Sequence, residues 1–236
     1  MATAWAFIEA EVFSRVGALV AEGSVSTAET SYRTIPKTST QIDDPAFPLS
    51  VVRTAIIDTT MEIIGAICKN AGDNRRNAFK LTASVAHNGA IPSSMGPLGA
   101  IYDAATGRPL VQRSASEVAE RVANPSSAFT VAVFFCAIDG TRLLHTVSSA
   151  TMEYFSYDRP ATTFAELDAL FDATSDTFPL GDEFAVVVAD GAAGRLAQKA
   201  GSYIEAAAAF LQSYYTGLKE RGVNAQPSDF APQPTS

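Results

Sequence analysis

The sequence predicts an α+β fold in which N- and C-terminal helices pack together, with an antiparallel β region of hairpins and meander inserted between them. Three observations carry this expectation. Apolar residues recur at helical spacing near both ends of the chain. They alternate in the middle, around turn-forming pairs. Hydrophobic residues make up 47% of the 236 positions and charged residues 18%, a globular composition and not that of a disordered chain. The expected parts are an N-terminal helical part over residues 1–72, a β-rich insertion over 73–160, a C-terminal helical part over 161–222 and an extended tail over 223–236.

Trp5, Ile8, Val12, Val16 and Leu19 share one face of a helix over residues 4–21, with Thr3 as N-cap and Gly23 as a stop. A polar stretch rich in Ser and Thr follows over 22–44, long for a plain connection. Pro48 suits the first turn of a second helix that runs to about Asn70. That helix carries two apolar stripes, Val52, Ile56, Thr59 and Ile63 on one side and Ile57, Met61, Ile64 and Cys68 on the other. A helix apolar on two sides lies between elements or against another subunit.

In the middle, Phe79, Leu81, Ala83 and Val85 alternate as in a strand. Residues 100–103 and 109–112 flank a Thr106-Gly107 turn, which predicts a hairpin. Ser114 and Glu117 have the spacing of a capping box and open a short helix that ends before Pro125. Residues 129–138 read as a strong strand. Asp139-Gly140 is a turn pair for a two-residue hairpin, residues 141–147 return, and 151–157 add a third antiparallel strand.

Helical pattern resumes after Pro160. A short helix is expected over 163–171, and a longer one over 182–200 with Phe184, Val188, Ala192 and Leu196 inward. Gly201 ends it, and Ser202 with Glu205 caps a last helix whose stripe is Tyr203, Ala207, Phe210, Tyr214 and Leu218. These two form an αα-hairpin. Pro227, Pro232 and Pro234 make the tail extended.

Seventeen Lys and Arg against twenty-five Asp and Glu give a net charge of −8. That excludes a protein wrapping nucleic acid through a basic face. Cys68 and Cys136 are too few for a disulfide framework or a Cys-rich zinc site, and their apolar surroundings predict buried free thiols. The first nineteen residues lack the basic start of a signal peptide, and the longest uncharged apolar run, 129–138, is too short to span a bilayer. The expectation is a soluble protein made in the cytoplasm, with no membrane partner.

Chemistry-bearing motifs are few. His87 and His145 lie far apart without ligand spacing and read as structural histidines. Gly191-Ala192-Ala193-Gly194 sits within a predicted helix, where small residues permit close packing. Asp43-Asp44 and Asp182-Glu183 suit helix starts, and Arg75-Arg76 is the single basic cluster. Residues 153–190 hold nine acidic residues against Arg159, among them Glu166, Asp168, Asp172 and Asp176. This acidic segment reads as a solvated loop, a docking face for a basic partner, or a lining that repels DNA. No catalytic, metal or cofactor site is expected. An enzyme reading would need a site assembled from scattered residues such as His145, Asp139 and Glu153.

The run Phe178-Pro179-Leu180-Gly181-Asp182-Glu183-Phe184, then Asp190-Gly191-Ala192-Ala193-Gly194-Arg195-Leu196, then the Ala-rich residues 205–215, resembles the C-terminal half of tailed-bacteriophage head-to-tail adaptor (connector) proteins. Gly99-Ala100-Ile101-Tyr102-Asp103 and Arg142-Leu143-Leu144-His145-Thr146 are similar to phrases of phage structural proteins. The resemblance implies a homo-oligomeric ring, typically dodecameric, at the capsid–tail junction of the virion. It implies portal protein above, a tail or tail-completion protein below, and DNA passing through the lumen without sequence recognition. Glu166, Asp168, Asp172 and Asp176 would then face the lumen or a partner. The alternative is another virion ring, such as a tail-completion or capsid accessory protein. In either case the segments 22–44, 88–98 and 223–236 are expected to reach neighbouring subunits, since none has the periodic apolar residues for a core of its own.

Overall fold

The computed structural model describes residues 4–23, 47–70, 73–91, 101–124, 133–147, 151–155, 157–173, 175, 177–200 and 204–223, with side chains only to residue 16 in the first helix. The elements run α1 (Ala4–Gly23), α2 (Leu49–Lys69), a 3-10 turn (Asn74–Phe79), β1 (Lys80–Ser84), β2 (Gly89–Ala90), β3 (Tyr102–Asp103), β4 (Leu110–Gln112), α3 (Ala115–Ala123), β5 (Phe134–Asp139), β6 (Arg142–His145), β7 (Thr151–Phe155), α4 (Phe164–Phe171), a 3-10 turn (Asp182–Phe184), α5 (Ala185–Ala200) and α6 (Ile204–Glu220). The chain is α+β, and it forms two compact units: Met1–Ala66 with Arg159–Ser236, and Ile67–Asp158.

In the helical unit α1 packs on α5, and α5 pairs with α6. Trp5, Ile8, Val12 and Val16 are all buried, as their spacing requires. The Trp5 ring meets Phe171 at 5.4 Å and Phe178 edge-on at 5.1 Å. Burying such large side chains is worth roughly 1.5–3 kcal/mol each. The Pro48 carbonyl accepts from the N–H groups of Val51 and Val52 and starts α2. Thr59 and Thr60 are buried within α2 because each hydroxyl donates to the carbonyl four residues back. Gly191 and Gly194 mark the close approach of neighbouring helices. A Cβ at Gly191 would lie 2.7 Å from both Thr59 Cγ2 and Tyr214 Cδ2, and one at Gly194 2.8 Å from Leu211 Cγ.

The other unit holds two sheets, ordered β1-β7-β3 and β2-β6-β5-β4. Val85, Ile101, Leu110, Cys136, Leu143, Val147, Met152 and Tyr154, drawn from both sheets, form one apolar cluster. Cys136 and Cys68 are free and buried, and burial pushes each thiol up to about 11.

Three details of this unit correct the sequence reading. First, not every pairing is antiparallel: β4 and β5 run parallel, Leu110 opposite Phe134. The helix α3 lies between them in sequence, and a crossover of this length is what parallel neighbours need. Val118 on α3 is fully buried and packs with Phe135 and Ala137. Ser114 does cap α3, accepting from the Glu117 N–H, while the Glu117 carboxylate pairs with Arg121 at 3.0 Å. Second, β7 does not extend the β5–β6 hairpin as a meander. It crosses to the other sheet and pairs with β1 and β3, where Met152 and Tyr154 join the shared cluster. Third, the hairpin loop is Gly140-Thr141, one residue later than expected, because Asp139 is already paired with Arg142. Gly140 takes φ +59° at the first loop position, the requirement of a type II′ turn.

The turn at Thr106-Gly107 does form, with Gly107 at φ +67°. The buried Asp103 carboxylate accepts from the Thr106 N–H at 3.0 Å and its hydroxyl at 2.6 Å. Its two arms separate afterwards, β3 into one sheet and β4 into the other. Phe79 closes a 3-10 turn instead of opening β1, and Leu81 is left 38% exposed.

Candidate functional site

The helical unit concentrates its ionisable groups at three places where helices meet. Arg53 projects from α2 with 1% of its side chain exposed, and Glu9 on α1 receives its Nε at 2.5 Å with 2% exposed. The remaining guanidinium nitrogens reach Asp168 on α4 at 2.6 Å and Asp172 at its end at 3.4 Å. The Phe171 ring stacks under the guanidinium at 5.1 Å. Burial pushes the Glu9 carboxyl up, while its bond to Arg53 pulls the other way. Three carboxylates thus converge on one guanidinium, and the exposed edge of the cluster stays acidic.

At the second place Arg15 on α1 binds Asp190 on α5 at 2.7 Å and Glu11 at 2.6 Å, and Ser213 on α6 donates to the other Asp190 oxygen at 2.7 Å. At the third, Arg195 on α5 forms a bidentate pair with Glu62 on α2, with the Tyr214 ring 6.0 Å away. Each arrangement ties two or three helices together through charge-assisted bonds, which fix relative position as well as adding energy.

No protein-family model and no curated protein matches this chain.

Glu166, Asp168 and Asp172, three of the four acidic residues singled out in the sequence, have local partners. Glu166 caps α4: its Oε2 accepts from Thr162 N at 2.7 Å and Thr163 N at 3.0 Å, and the Thr163 hydroxyl accepts from the Glu166 N–H. Those bonds hold its carboxyl below the usual range. Asp168 and Asp172 face Arg53 yet keep 42% and 48% of their side chains exposed. Asp176 lies outside the described residues, as do Asp43-Asp44 and most of the segments 22–44, 88–98 and 223–236. Of the basic pair, Arg75 binds Asp73 at 2.6 Å, and Arg76 stacks on Tyr102 and Phe155.

Sequence reasoning missed Arg53, the centre of the first cluster. The available signal was an Arg one turn before Ile57 and Met61, in line with an apolar stripe of α2, and a Glu directly after Ile8 beside the apolar face of α1. Buried opposite charges at such positions must find each other.

A groove of about 350 Å³ opens between α2, α4 and α5. Val51, Ala55 and Leu196 line it, with Phe164 at its rim 70% exposed. Asp58 lies at its edge, held by Arg159 at 2.6 Å, and Lys199 lies at the end of α5.

In the β unit the two histidines come together, with ring centroids 5.8 Å apart. His145 is buried, and its Nε2 lies 2.9 Å from the Val85 carbonyl, so that nitrogen carries the proton. His87 Nδ1 bonds the backbone of residue 145. No hydrogen bond joins His145 to Asp139 or Glu153: Asp139 is exposed beside the hairpin loop and Glu153 pairs with Lys80 at 3.2 Å in the other sheet. Among the described residues no group of three or more His, Cys, Asp or Glu could hold a metal ion, and no helix is long and apolar enough to cross a membrane.

Proposed function

We propose that the chain is a virion structural protein, a head-to-tail adaptor that forms a ring between portal and tail with DNA passing through its lumen. The observation that carries this reading is large apolar side chains left in water on the helical unit. Ile204 is 73% exposed at the start of α6, and Phe164 is 70% exposed beside an apolar groove. Phe164 and the apolar groove beside it make a continuous apolar patch, which supports association with another protein surface. Arg15, Arg53 and Arg195 of this unit each join two helices through an ion pair, which suits a rigid building block.

In this reading the N- and C-terminal helices form one packed body, the β part is inserted between them in the sequence, and further copies complete a ring, typically of twelve. Portal protein and a tail or tail-completion protein contact its two rims. Asp168 and Asp172 present their exposed edges to the lumen, where acid avoids gripping DNA phosphates. No cofactor takes part.

Mass spectrometry and low-resolution imaging of the particles made with this protein test the reading. Density for a ring of this chain at the capsid–tail junction is expected. Particles lacking the chain overturn it, and density elsewhere in the particle assigns the chain to another virion part.

A further inference from the structure

We propose that the groove between α2, α4 and α5 receives residues 224–236 of a neighbouring copy, with Phe230 on its apolar floor and Asp229 on Lys199. This deepens the ring reading and rests on it for the presence of a neighbour.

The groove and the segment have matching chemistry. Val51, Ala55 and Leu196 give the groove an apolar floor, and the exposed Phe164 ring gives it an uncovered aromatic wall. Its charges are unequal in standing. Asp58 is neutralised by Arg159, and Arg195 by Glu62. Lys199 is exposed and has no ion-pair partner among the described residues. The segment 224–236 carries one charge, Asp229, and one aromatic residue, Phe230, side by side. Pro227 stands before them and Pro232 and Pro234 after, so the segment is biased to the extended polyproline form and loses little entropy on docking. A groove of about 350 Å³ falls in the size range of pockets that take a small ligand or an anchoring side chain.

The geometry points to a neighbour and not to the chain's own segment. Arg221, just past α6, donates its Nε to the Glu183 carbonyl and stacks on Phe184, so the segment leaves from the N-terminal end of α5. Lys199 is at the opposite end, about 22 Å away at 1.5 Å per residue. From Val223 to Asp229 an extended polyproline chain covers about 19 Å, and the Asp229 and Lys199 side chains span the rest, so the chain's own segment reaches Lys199 only along a nearly straight path beside α5. That path is closed, because α5 is buried along most of its length. A copy set beside the groove meets no such limit.

The test uses full-length chains. One preparation carries Lys199→Cys and another Asp229→Cys; the native Cys68 and Cys136 are buried and silent. A short bis-maleimide added to the mixture is expected to give a covalent two-chain product carrying one copy of each variant. Adding Phe230→Ala to the Asp229→Cys chain should lower its yield at least tenfold, and Arg113→Cys in place of Lys199→Cys should give background only. No two-chain product, or linkage found only within single chains when Lys199→Cys and Asp229→Cys are placed in the same chain, overturns the proposal. Light scattering of the unmodified chain reads the ring separately. Closed multi-copy assemblies without the cross-link leave the ring and remove the groove contact. The cross-link in a two-copy species supports the groove contact and counts against the ring.

Discussion

Glu9 on α1 and Arg53 on α2 form an ion pair at 2.5 Å with both side chains almost fully enclosed. Removing one partner strands the other charge away from water. Arg53→Met alone is expected to cost about 3–5 kcal/mol, whereas Glu9→Leu with Arg53→Met should cost much less than the sum of the two single changes. Urea unfolding of the four proteins in the cycle measures this. Single variants within 1 kcal/mol of the parent would show that the pair does not clamp these helices.

Gly194 meets Leu211 where α5 and α6 come closest. Gly194→Ala removes a flexible residue from a helix, a gain, but places a methyl 2.8 Å from Leu211 Cγ and 3.2 Å from its backbone nitrogen. Overpacking at a backbone contact wins, at a cost of about 1–3 kcal/mol. A lowered thermal midpoint is the expected result; an unchanged or raised one would mean that α6 can move aside.

His145 is buried and its pKa lies below the ordinary value, chiefly through burial, with His87 adding repulsion. A depressed histidine binds fewer protons folded than unfolded, so stability is complete above about pH 6.5 and declines as pH falls below it. Denaturant midpoints between pH 8 and 5 should fall more steeply for the parent than for His145→Gln. Parallel pH profiles would remove His145 as the cause.

The capping box of α4 links Thr163 to Glu166 reciprocally. Thr163→Ala is expected to cost about 1 kcal/mol. The Glu166 carboxyl sits below its usual range, so its help is present above pH 4.5 and is lost as pH drops through the folded value. The acid limb of the unfolding profile should flatten in Glu166→Gln, and a superimposable limb would exclude this carboxylate.

If Asp168 and Asp172 line a lumen, assembly of the ring should change little between 0.1 and 1 M salt, although the screening length falls from about 10 Å to about 3 Å. Sedimentation across that range reads it. Dissociation at high salt would instead place the acidic edge against a basic partner.

Local chemistry was readable from the sequence wherever one element decides the outcome. The spacing of Trp5, Ile8, Val12 and Val16 marks a buried helical face because 3.6 residues per turn leaves no other arrangement. Gly191 and Gly194 foretell close helix packing, and Ser114 foretells a helix start. What tertiary structure alone decided concerns pairs distant in the chain. The partner of Arg53 could be any of the chain's twenty-five carboxylates until α1, α2 and α4 come together. The two histidines meet only because β6 brings residue 145 beside the loop at residue 87. The direction of β4 and the sheet joined by β7 depend on which apolar face finds the common core, and alternation within a strand carries no information about its neighbour.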